Sequence, residues 1–307
     1  MQKDALTVDD VAEMLQIGRN AVYELAKSGE IGSYKIGRKL RFTYEDVQEY
    51  IIASHQPMRQ GTKSVALPPI SIPEENKFIL CGQNMILDVL ANYLSQEGVC
   101  ATRIYAGSYD SLLLLYKGHA HVAACNLWDG DSGEYNLPYI SKLMPGVPTV
   151  VVRLLSRMQG FIVAKGNPKG IETWSDLADP NIVMINQERG VGARVLLDEH
   201  MRLLGIDPRT VSGYDNEARS RITSANAVAN GRADVVVATE KVARQVDGVE
   251  FVPLQLEHID LVMRSEVFDA EEAQKMMELL ESEILREDFG GVNGYDISNM
   301  GRIVSLS

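Results

Sequence analysis

Cysteine is scarce in this 307-residue sequence, which contains only Cys81, Cys100 and Cys125. The number is odd and no pair has CxxC spacing, so a disulfide framework and a cysteine-based zinc site are both disfavoured. Reduced thiols in a reducing compartment are the expected state. We predict no metal site, because ligand spacing is also missing among His119, His121, His200 and His258.

Long apolar runs are missing as well. No stretch approaches the roughly 20 apolar residues that a membrane-spanning helix needs. The first residues, "MQKDALTVDDVAEML", are polar and acidic and lack the apolar centre of a secretory signal. These absences predict a cytoplasmic protein without a membrane partner.

Known catalytic motifs are also lacking. The sequence has no GxSxG, Walker A or HExxH motif and no GxGxxG after a strand, and "GVGAR" lacks the Lys-Ser/Thr pair of a P-loop. Asp129 and Asp131 lie in a glycine-rich loop, where turn chemistry accounts for them. We therefore expect a protein that is not an enzyme, with no catalytic residues and no cofactor.

Basic residues are fewer than acidic ones: 30 Lys and Arg against 42 Asp and Glu give a formal net charge of −12. This balance argues against a protein that coats nucleic acid over its whole surface, but it permits a local basic patch. The length allows two or three domains, each with its own core.

Residues 1–55 have the pattern of a compact helix-turn-helix unit. Thr7 and Asp10 form a predicted capping box before a helix, and a second helix follows Gly18 and ends at Gly29. "IGSYKIGRKLRF" predicts two short strands, and Thr43 is the predicted cap of a closing helix.

Residues 56–76 are predicted to be a linker, since positions 54–76 hold four of the eleven prolines and no periodic apolar pattern. In residues 77–307, apolar runs alternate with amphipathic segments, which predicts an α/β domain with mainly parallel strands. We expect "TVVVRLLSRMQGFIVAKG" to form two strands, separated by a polar break at 156–159. "VEFVPLQ" and "HIDLVMR" are two more predicted strands, and "AEEAQKMMELLESEILRED" is one closing helix before a polar tail.

A helix-turn-helix with a hairpin wing has a physical use on DNA. The second helix fits the major groove, and the wing sets basic side chains against phosphates. A charged hairpin on a protein-binding module is the alternative, but the basic residues concentrate on the wing of an otherwise acidic unit. The predicted DNA-binding residues are Arg19, Asn20, Tyr23, Lys35, Arg38, Lys39 and Arg41.

The segment "LTVDDVAEMLQIGRNAVYELAKSGEIGSYKIGRKLRFTYEDVQEYI" resembles the excisionase-type, MerR-related winged helix domain. The resemblance implies binding to operator DNA, usually as a dimer on a two-fold site. The long coiled coil through which MerR-type regulators pair is absent from this sequence. A homodimer or higher homo-oligomer would then have to assemble through the α/β domain or the linker.

The stretch "NIVMINQERGVGARVLLDEHMRLLGID" contains the end of a predicted strand followed directly by a predicted helix. Arg189 and Arg194 bracket Gly190 and Gly192 at the start of that helix, where free backbone N–H groups favour an anion. The glycines let the backbone approach a ligand, and the arginines supply charge-assisted donors. Pairing of the arginines with neighbouring acids such as Glu188 or Asp198 is an equally strong interpretation of these residues alone.

Other predicted strand ends are polar too, and ligands of open α/β sheets bind at the carboxyl ends of strands. Asn126 and Asp129 lie at one such end. Trp128 has packing as an alternative role, and Glu240 has helix capping. The predicted ligand-binding residues are Gln83, Asn84, Ser108, Tyr109, Ser111, Trp128, Arg189, Gly190, Gly192, Arg194, Thr239 and Glu240.

The segments "GQNMILDVLANYL", "GSYDSLLLLYKGHAHVAACNLWDGDSGEYNLPYI" and "GRADVVVATE", with the stretch that holds Arg189, resemble the two-lobed, type II periplasmic-binding-protein-like (PBP-like) domain. The resemblance covers about residues 78–300. It implies a small-ligand cleft and, through related molybdate receptors, molybdate or tungstate as a candidate ligand. The usual family loop is close to "RGSGTR", whereas this chain has Val191 and Ala193 in place of the two hydroxyl residues. A larger or carboxylated metabolite and an oxyanion held by backbone groups both stay open.

Together these features predict an α/β chain with an N-terminal winged helix-turn-helix and a two-lobed PBP-like domain. The predicted function is a transcriptional regulator that binds DNA and senses a small cytoplasmic anion. The alternative is a non-regulatory protein that binds molybdate or acts as a scaffold in molybdenum-cofactor metabolism.

Overall fold

The computed structural model describes residues 6–15, 18–28, 31–36, 39–43, 46–47, 50, 77–218, 220–292 and 294–306. The chain divides into two compact units, Met1–Ile70 and Ser71–Ser307. The predicted linker, residues 56–76, lies outside the described residues, so the predicted domain boundaries of 55 and 77 remain predictions.

The first unit is a pair of helices and a hairpin. Helix α1 spans Val8–Leu15, α2 spans Arg19–Ser28, and strands β1 (Tyr34–Ile36) and β2 (Lys39–Arg41) pair antiparallel. Both predicted caps are confirmed. The Asp10 and Asp46 backbone N–H groups donate to the hydroxyls of Thr7 and Thr43 at 3.2 and 3.1 Å, and the carboxylates accept from the threonine N–H groups. The core of this unit is formed by Leu6, Val8, Val11, Val22, Ile31, Phe42 and Val47.

The second unit is built on one mixed sheet whose strand order is β10-β6-β8-β5-β3-β4, with β7 and β9 also paired to β6. Its strands are β3 (Phe78–Cys81), β4 (Ala101–Ile104), β5 (Val122–Cys125), β6 (Thr149–Ala164), β7 (Val235–Thr239), β8 (Val249–Arg264), β9 (Tyr295–Asp296) and β10 (Ile303–Leu306). The helices are α3 (Ile86–Gln96), α4 (Ser108–Tyr116), α5 (Leu137–Leu143), α6 (Gly192–Leu204), α7 (Arg221–Ala229), α8 (Glu240–Ala243), α9 (Ser265–Phe268), α10 (Glu271–Glu281) and α11 (Glu283–Gly290). Short 3₁₀ turns occupy Trp174–Ala178 and Pro208–Thr210.

Strands β6 and β8 are each 16 residues long and pair antiparallel over nearly their whole length. One half of this ribbon joins β3, β4, β5 and β10 to form lobe one. The other half joins β7 to form lobe two. Each lobe has a separate apolar core on each face of its part of the sheet.

Two predictions about the strands are wrong. The polar residues 156–159 do not interrupt β6, and the predicted strands "VEFVPLQ" and "HIDLVMR" are one strand. The polar side chains of β6 find partners on β8: Ser156 lies 2.8 Å from His258 and Arg157 pairs with Glu257. Because these long strands run antiparallel, the sheet is mixed rather than mainly parallel.

The C-terminal predictions also need correction. The single closing helix is two helices, α10 and α11, because the Ser282 hydroxyl accepts from the Leu285 N–H and starts a new helix there. The polar tail supplies β9 and β10, which both pair with β6. Cys81, Cys100 and Cys125 are free.

Candidate functional site

The predicted DNA-contacting residues of α2 lie on the surface of the first unit. Arg19 and Asn20 are exposed, and Tyr23 is 50% exposed. Asn20 and Tyr23 are three residues apart, so their side chains share one face of the helix. Arg19 is held by Asp9 through contacts of 2.7 and 2.9 Å in an exposed ion pair.

On the wing, Lys39 is exposed and Arg41 is half-buried, with its Nη1 donating to the Leu40 carbonyl at 3.0 Å. Lys35 lies in β1 opposite Leu40, and Arg38 lies outside the described residues. The structure thus places one exposed helix face and one basic hairpin in the same small unit.

A cleft separates the two lobes of the second unit, at the place where β6 and β8 cross from one lobe to the other. It contains two adjoining chambers. Chamber one is lined from lobe one by Gln83, Asn84, Ala106, Gly107, Ser108 and Ala124, together with Ile259. Chamber two is lined by Gln159, Gln187, Ala193, Val237, Ala238 and Thr239. Both chambers share Asn126, Arg157, Val191 and Arg221.

A chain of hydrogen bonds crosses the floor of the cleft. Ser108 Oγ donates to Asn126 Oδ1 at 2.6 Å, and Asn126 Nδ2 donates to Glu257 Oε2 at 2.7 Å. The other oxygen of Glu257 accepts from Arg157 Nε at 2.5 Å. These bonds fix the orientation of the Asn126 amide and of the Arg157 guanidinium.

Arg157 and Glu257 form a buried ion pair, with side chains 8% and 1% exposed. Burial is the largest influence and lowers the pKa of Arg157, but Glu257 and Tyr295 together outweigh it and hold this pKa above its ordinary value. Arg157 is therefore a permanent cation in the floor of both chambers.

A second arginine, Arg221, is the first residue of helix α7 and lines both chambers. Its Nη2 donates to Gln83 Oε1 across the cleft at 3.4 Å. Ser220 caps this helix, since its hydroxyl accepts from the Thr223 N–H at 3.1 Å. Among the described residues, no Asp or Glu lines either chamber. The lining is therefore rich in hydrogen-bond donors, and the charge of Arg157 is balanced by Glu257 behind it.

Two lining residues each have a buried side-chain atom without a hydrogen-bond partner among the described residues: Nδ2 of Asn84 and Oε1 of Gln159. Asn84 is 7% exposed and Gln159 is 1% exposed. Unpartnered buried polar atoms are uncommon, because each gives up its bonds to water without replacing them.

The strand predicted to precede α6 is not formed, since Met184 and Asn186 make only isolated bridges within the described residues. Arg189 and Arg194, at this junction with α6, lie outside the lining of both chambers. Arg194 is 1% exposed and is held inside lobe two, where its guanidinium contacts Asp198 at 3.1 Å and Glu217 at 3.4 Å. Its guanidinium carbon also lies 4.2 Å from the centre of the Tyr214 ring. Arg189 is 74% exposed and lies 3.7 Å from Asp215. The interpretation in which Arg194 pairs with Asp198 is the one that the structure shows.

The glycines of this junction bring the two lobes together. Gly190 has a φ of +85°, and its carbonyl accepts from the Tyr109 N–H of lobe one at 3.2 Å. A Cβ at Gly192 would overlap the side chain and the carbonyl of Asn126. These glycines therefore permit a close approach between lobe two and lobe one. The sequence had predicted a close approach between the backbone and a ligand.

The remaining predicted ligand-binding residues divide into two groups. Gln83, Asn84, Ser108 and Thr239 line the cleft. The other four have structural contacts: Tyr109 packs edge-on against Tyr139, Ser111 donates to the Ala106 carbonyl, Trp128 stacks on His200, and Glu240 accepts from Arg244.

Sequence reasoning missed Arg157, Gln159, Gln187 and Arg221, which line the cleft. For Arg157 and Gln159 a signal was present, because two mainly apolar runs flank a polar run without any glycine-proline turn. A continuous strand with a functional polar centre fits that pattern as well as an interrupted one.

The outer edge of the cleft is closed by further contacts between the lobes. His200 of lobe two lies between two tryptophan rings, 4.4 Å from Trp128 of lobe one and 4.2 Å from Trp174 of lobe two. Glu199 Oε2 accepts from the Gly130 N–H at 3.0 Å. These contacts describe a closed arrangement of the lobes.

No helix within the described parts of the chain is long and apolar enough to cross a membrane. A family model described as a helix-turn-helix domain matches residues 5–54, and one described as a PBP superfamily domain matches residues 91–281. The predicted fold class is therefore confirmed.

One relative matches nearly the whole chain, and another matches about a third of it. The uncharacterized protein YvgK of Bacillus subtilis (strain 168) is 31% identical over 99% of this chain and 98% of its own length. An uncharacterized Clostridium pasteurianum protein from a ferredoxin gene 5′ region is 40% identical over 36% of this chain and 98% of its own length.

Solved structures share the fold of the second unit. The ancestral amino acid-binding protein AncCDT-1 has a TM-score of 0.51 and 14% identity, over 71% of this chain and 95% of that one. A putative phosphate transporter substrate-binding protein from Clostridium perfringens, with bound phosphate, has a TM-score of 0.51 and 13% identity, over 70% and 97% of the two chains. The chain thus belongs to the PBP superfamily domain family and carries a helix-turn-helix domain at its N-terminal end.

Proposed function

We propose that the protein is a transcriptional regulator that binds operator DNA through its helix-turn-helix unit and senses a small anion in the interlobe cleft. The observation that carries the proposal is the composition of the cleft lining. Two arginines, Arg157 and Arg221, and several amide and hydroxyl groups face the chambers, without a carboxylate among the described lining residues. Such a lining favours a negatively charged ligand.

The mechanism that we propose is a shift between open and closed lobes. A ligand in the two chambers touches both lobes, so it binds the closed arrangement more tightly and raises its population. In a homodimer, closure would change the spacing of the two DNA-binding units. The position of the tyrosine and asparagine on α2 suits base contacts, and the wing suits phosphate contacts.

Molybdate and tungstate remain candidate ligands, but the cleft argues against a simple copy of a molybdate site. Val191 and Ala193, which replace the hydroxyl residues of the resembled family loop, both line the cleft. Positions 191 and 193 therefore lie at the cleft, but they lack the two hydroxyl donors that would bind a tetrahedral oxyanion.

The experiment measures binding of the purified protein to the DNA upstream of its own operon, with and without each member of an anion panel. Molybdate, tungstate, sulfate, phosphate and small carboxylates form the panel. Specific retardation at physiological salt that changes with one anion is the expected result. A different result is that an anion raises the Tm of this protein but the protein does not bind the DNA specifically. That result would favour the non-regulatory binding or scaffold role in molybdenum-cofactor metabolism.

Binding itself is measured by thermal unfolding. A ligand present at about 100 times its Kd stabilises the folded state by roughly 2.7 kcal/mol, which gives a clear increase in Tm. If no anion changes either the Tm or the DNA affinity, the sensor part of the proposal is wrong.

A further inference from the structure

The ion pair of Asp9 and Arg19 joins the two helices of the helix-turn-helix unit. Asp9 lies in the first turn of α1, and Arg19 is the first residue of α2. Arg19 Nε lies 2.7 Å from Asp9 Oδ1, and Arg19 Nη2 donates to Asp9 Oδ2 at 2.9 Å. Each carboxylate oxygen thus has its own donor, and the carboxylate binds one edge of the planar guanidinium in the bidentate geometry.

This pair leaves another edge of the same guanidinium available to a ligand. An arginine carries five N–H groups in a fixed plane, and Asp9 accepts from one on Nε and one on Nη2. The second N–H of Nη2 and the neighbouring N–H of Nη1 form the outer edge. The side chains of Arg19 and Asp9 are 65% and 59% exposed, so this outer edge is accessible from solvent.

An exposed ion pair of this kind adds little to the stability of a fold. Its main effect is on the freedom of the arginine side chain. A long side chain that becomes ordered only on binding loses conformational entropy at that point, which weakens the complex. Because Asp9 already restricts Arg19, that loss is smaller and the outer edge of the guanidinium has a defined direction.

Guanine is the base that matches this outer edge. In the major groove it presents two neighbouring acceptors, O6 and N7, whereas adenine presents its N7 acceptor beside an N6 donor. Cytosine presents a donor there, and thymine presents a single acceptor. A phosphate also accepts two N–H groups, but the Asp9 carboxylate beside Arg19 repels a phosphate. In a helix-turn-helix the first residues of the second helix are those that reach base edges.

We propose that Arg19 recognises a guanine of the operator and that Asp9 is the positioning residue that directs Arg19 toward it. The inference rests on the proposed DNA-binding function and adds the base that is recognised. It gives Asp9 two opposite effects. The negative charge of Asp9 weakens binding to any DNA, because phosphates are repelled, while its contact with Arg19 increases the preference for one base.

The test selects binding sites for the full chain from a library of random DNA duplexes. Fluorescence anisotropy then compares the selected duplex with duplexes in which one base pair at a time is replaced. We expect one guanine whose replacement weakens wild-type binding by about tenfold or more, as is typical of a bidentate contact. In Arg19→Ala, replacement of this guanine should cause little further loss of affinity.

The variant Asp9→Ala separates positioning from a merely structural role. The preference for that guanine should fall several-fold, whereas the affinity for unrelated DNA should rise because an acidic charge is lost. A variant that only damaged the fold would bind both kinds of DNA more weakly. The matched control is the double variant: in an Arg19→Ala background, Asp9→Ala should not alter the preference at that position, since the arginine that Asp9 directs is missing.

The outcomes separate the inference from the proposed function. The inference is wrong if no selected guanine depends on Arg19, or if Asp9→Ala keeps the wild-type preference. An equal loss of affinity on every sequence in Arg19→Ala would place a phosphate at the outer edge and is equally incompatible with it. In each of these cases the chain still binds a specific site, so the proposed regulator stands. A chain that selects no sequence at all would overturn both.

Discussion

The Arg157 guanidinium and the Glu257 carboxylate form an ion pair of 2.5 Å at the point where β6 and β8 pass from one lobe to the other. The second carboxylate oxygen of Glu257 accepts from Asn126. One acid therefore holds two groups of the cleft lining, a cation and an amide. This arrangement makes the ion pair part of the ligand site as well as part of the fold.

Substitution Glu257→Gln should destabilise the fold strongly. A glutamine side chain cannot neutralise Arg157, and its amide oxygen cannot replace both carboxylate oxygens as acceptors. Loss of one partner from a buried pair costs about 3–5 kcal/mol, which urea unfolding measures directly. Asp207→Asn is the matched control. It breaks an exposed pair with Arg209 and should leave the free energy of unfolding nearly unchanged. Equally small losses of stability in both variants would contradict the assignment of Arg157 and Glu257 as a buried ion pair.

Asn84→Asp should weaken anion binding. The aspartate keeps the oxygen that accepts from the Ile86 N–H, but it puts a negative charge where the anion is expected. At short range and moderate effective dielectric, such repulsion raises the Kd on the order of tenfold or more. Calorimetry with the anion that stabilises the wild type gives the comparison, with the exposed Asn299→Asp as control. Unchanged affinity in Asn84→Asp would place the anion elsewhere.

Gly192→Ala should keep the lobes apart. The added Cβ would overlap Asn126 across the cleft, and relief requires the lobes to separate. The chain has two tryptophans, and Trp128 stacks on His200 only when the lobes are in contact. We therefore expect altered tryptophan fluorescence and weaker ligand binding.

The control for this variant is Gly290→Ala in α11, where a Cβ has open space. That change should leave fluorescence alone and stabilise the helix slightly, by roughly 0.5–1 kcal/mol. Wild-type fluorescence and affinity in Gly192→Ala would show that the junction tolerates a side chain.

Acid should loosen the contact between the lobes. Burial of His200 between two indoles lowers its pKa below the ordinary 6.5, although a bond with Gln255 and the charge of Glu199 oppose the shift. Because the folded, closed state has the lower pKa, the open or unfolded state binds more protons. The stabilising contribution is complete above pH 6.5 and is lost as the pH falls through the lowered pKa.

The measurement is Tm against pH from 8 to 5 for the wild type and for His200→Phe, which keeps a flat ring in the stack. Burial also lowers the pKa values of His121 and His258, so the variant should reduce the loss of Tm in acid without abolishing it. If the Tm of both proteins falls equally in acid, His200 is not a source of the acid-induced loss of stability.

Arg41→Ala should weaken DNA binding uniformly across sequences. A phosphate contact carries no sequence information, and loss of one reduces the salt slope of log K by about 1. Tyr23→Ala should instead lower the preference for the specific site. Fluorescence anisotropy over a range of salt concentrations measures both effects, and an unchanged slope in Arg41→Ala would remove this residue from the interface.

The sequence predicted local features well. The caps at Thr7 and Thr43 involve residues three positions apart, so their partners are visible in the sequence. The pair of Arg194 with Asp198, four positions along α6, is likewise visible. The winged unit and the two-lobed fold followed from resemblance and from the alternation of apolar segments.

The centre of the cleft could not be predicted in the same way. Arg157 and its partner Glu257 are 100 positions apart, and Ser156 and His258 are separated by 102. Nothing local shows that a polar run in β6 will be satisfied by another strand and can continue through the sheet. The same limit applies to Arg221, whose place in the lining depends on how lobe two closes on lobe one.

The paired crossing of β6 and β8 has a consequence for the order of folding. Lobe one is discontinuous in the chain, because its sheet needs both the residues before the first crossing and those after the second. Lobe two lies between the crossings as one continuous insertion. During synthesis from the N-terminus, lobe two has all its strands before β5 can pair with the far half of β8. Within the second unit, the lobe whose strands are synthesised first is thus the lobe completed last.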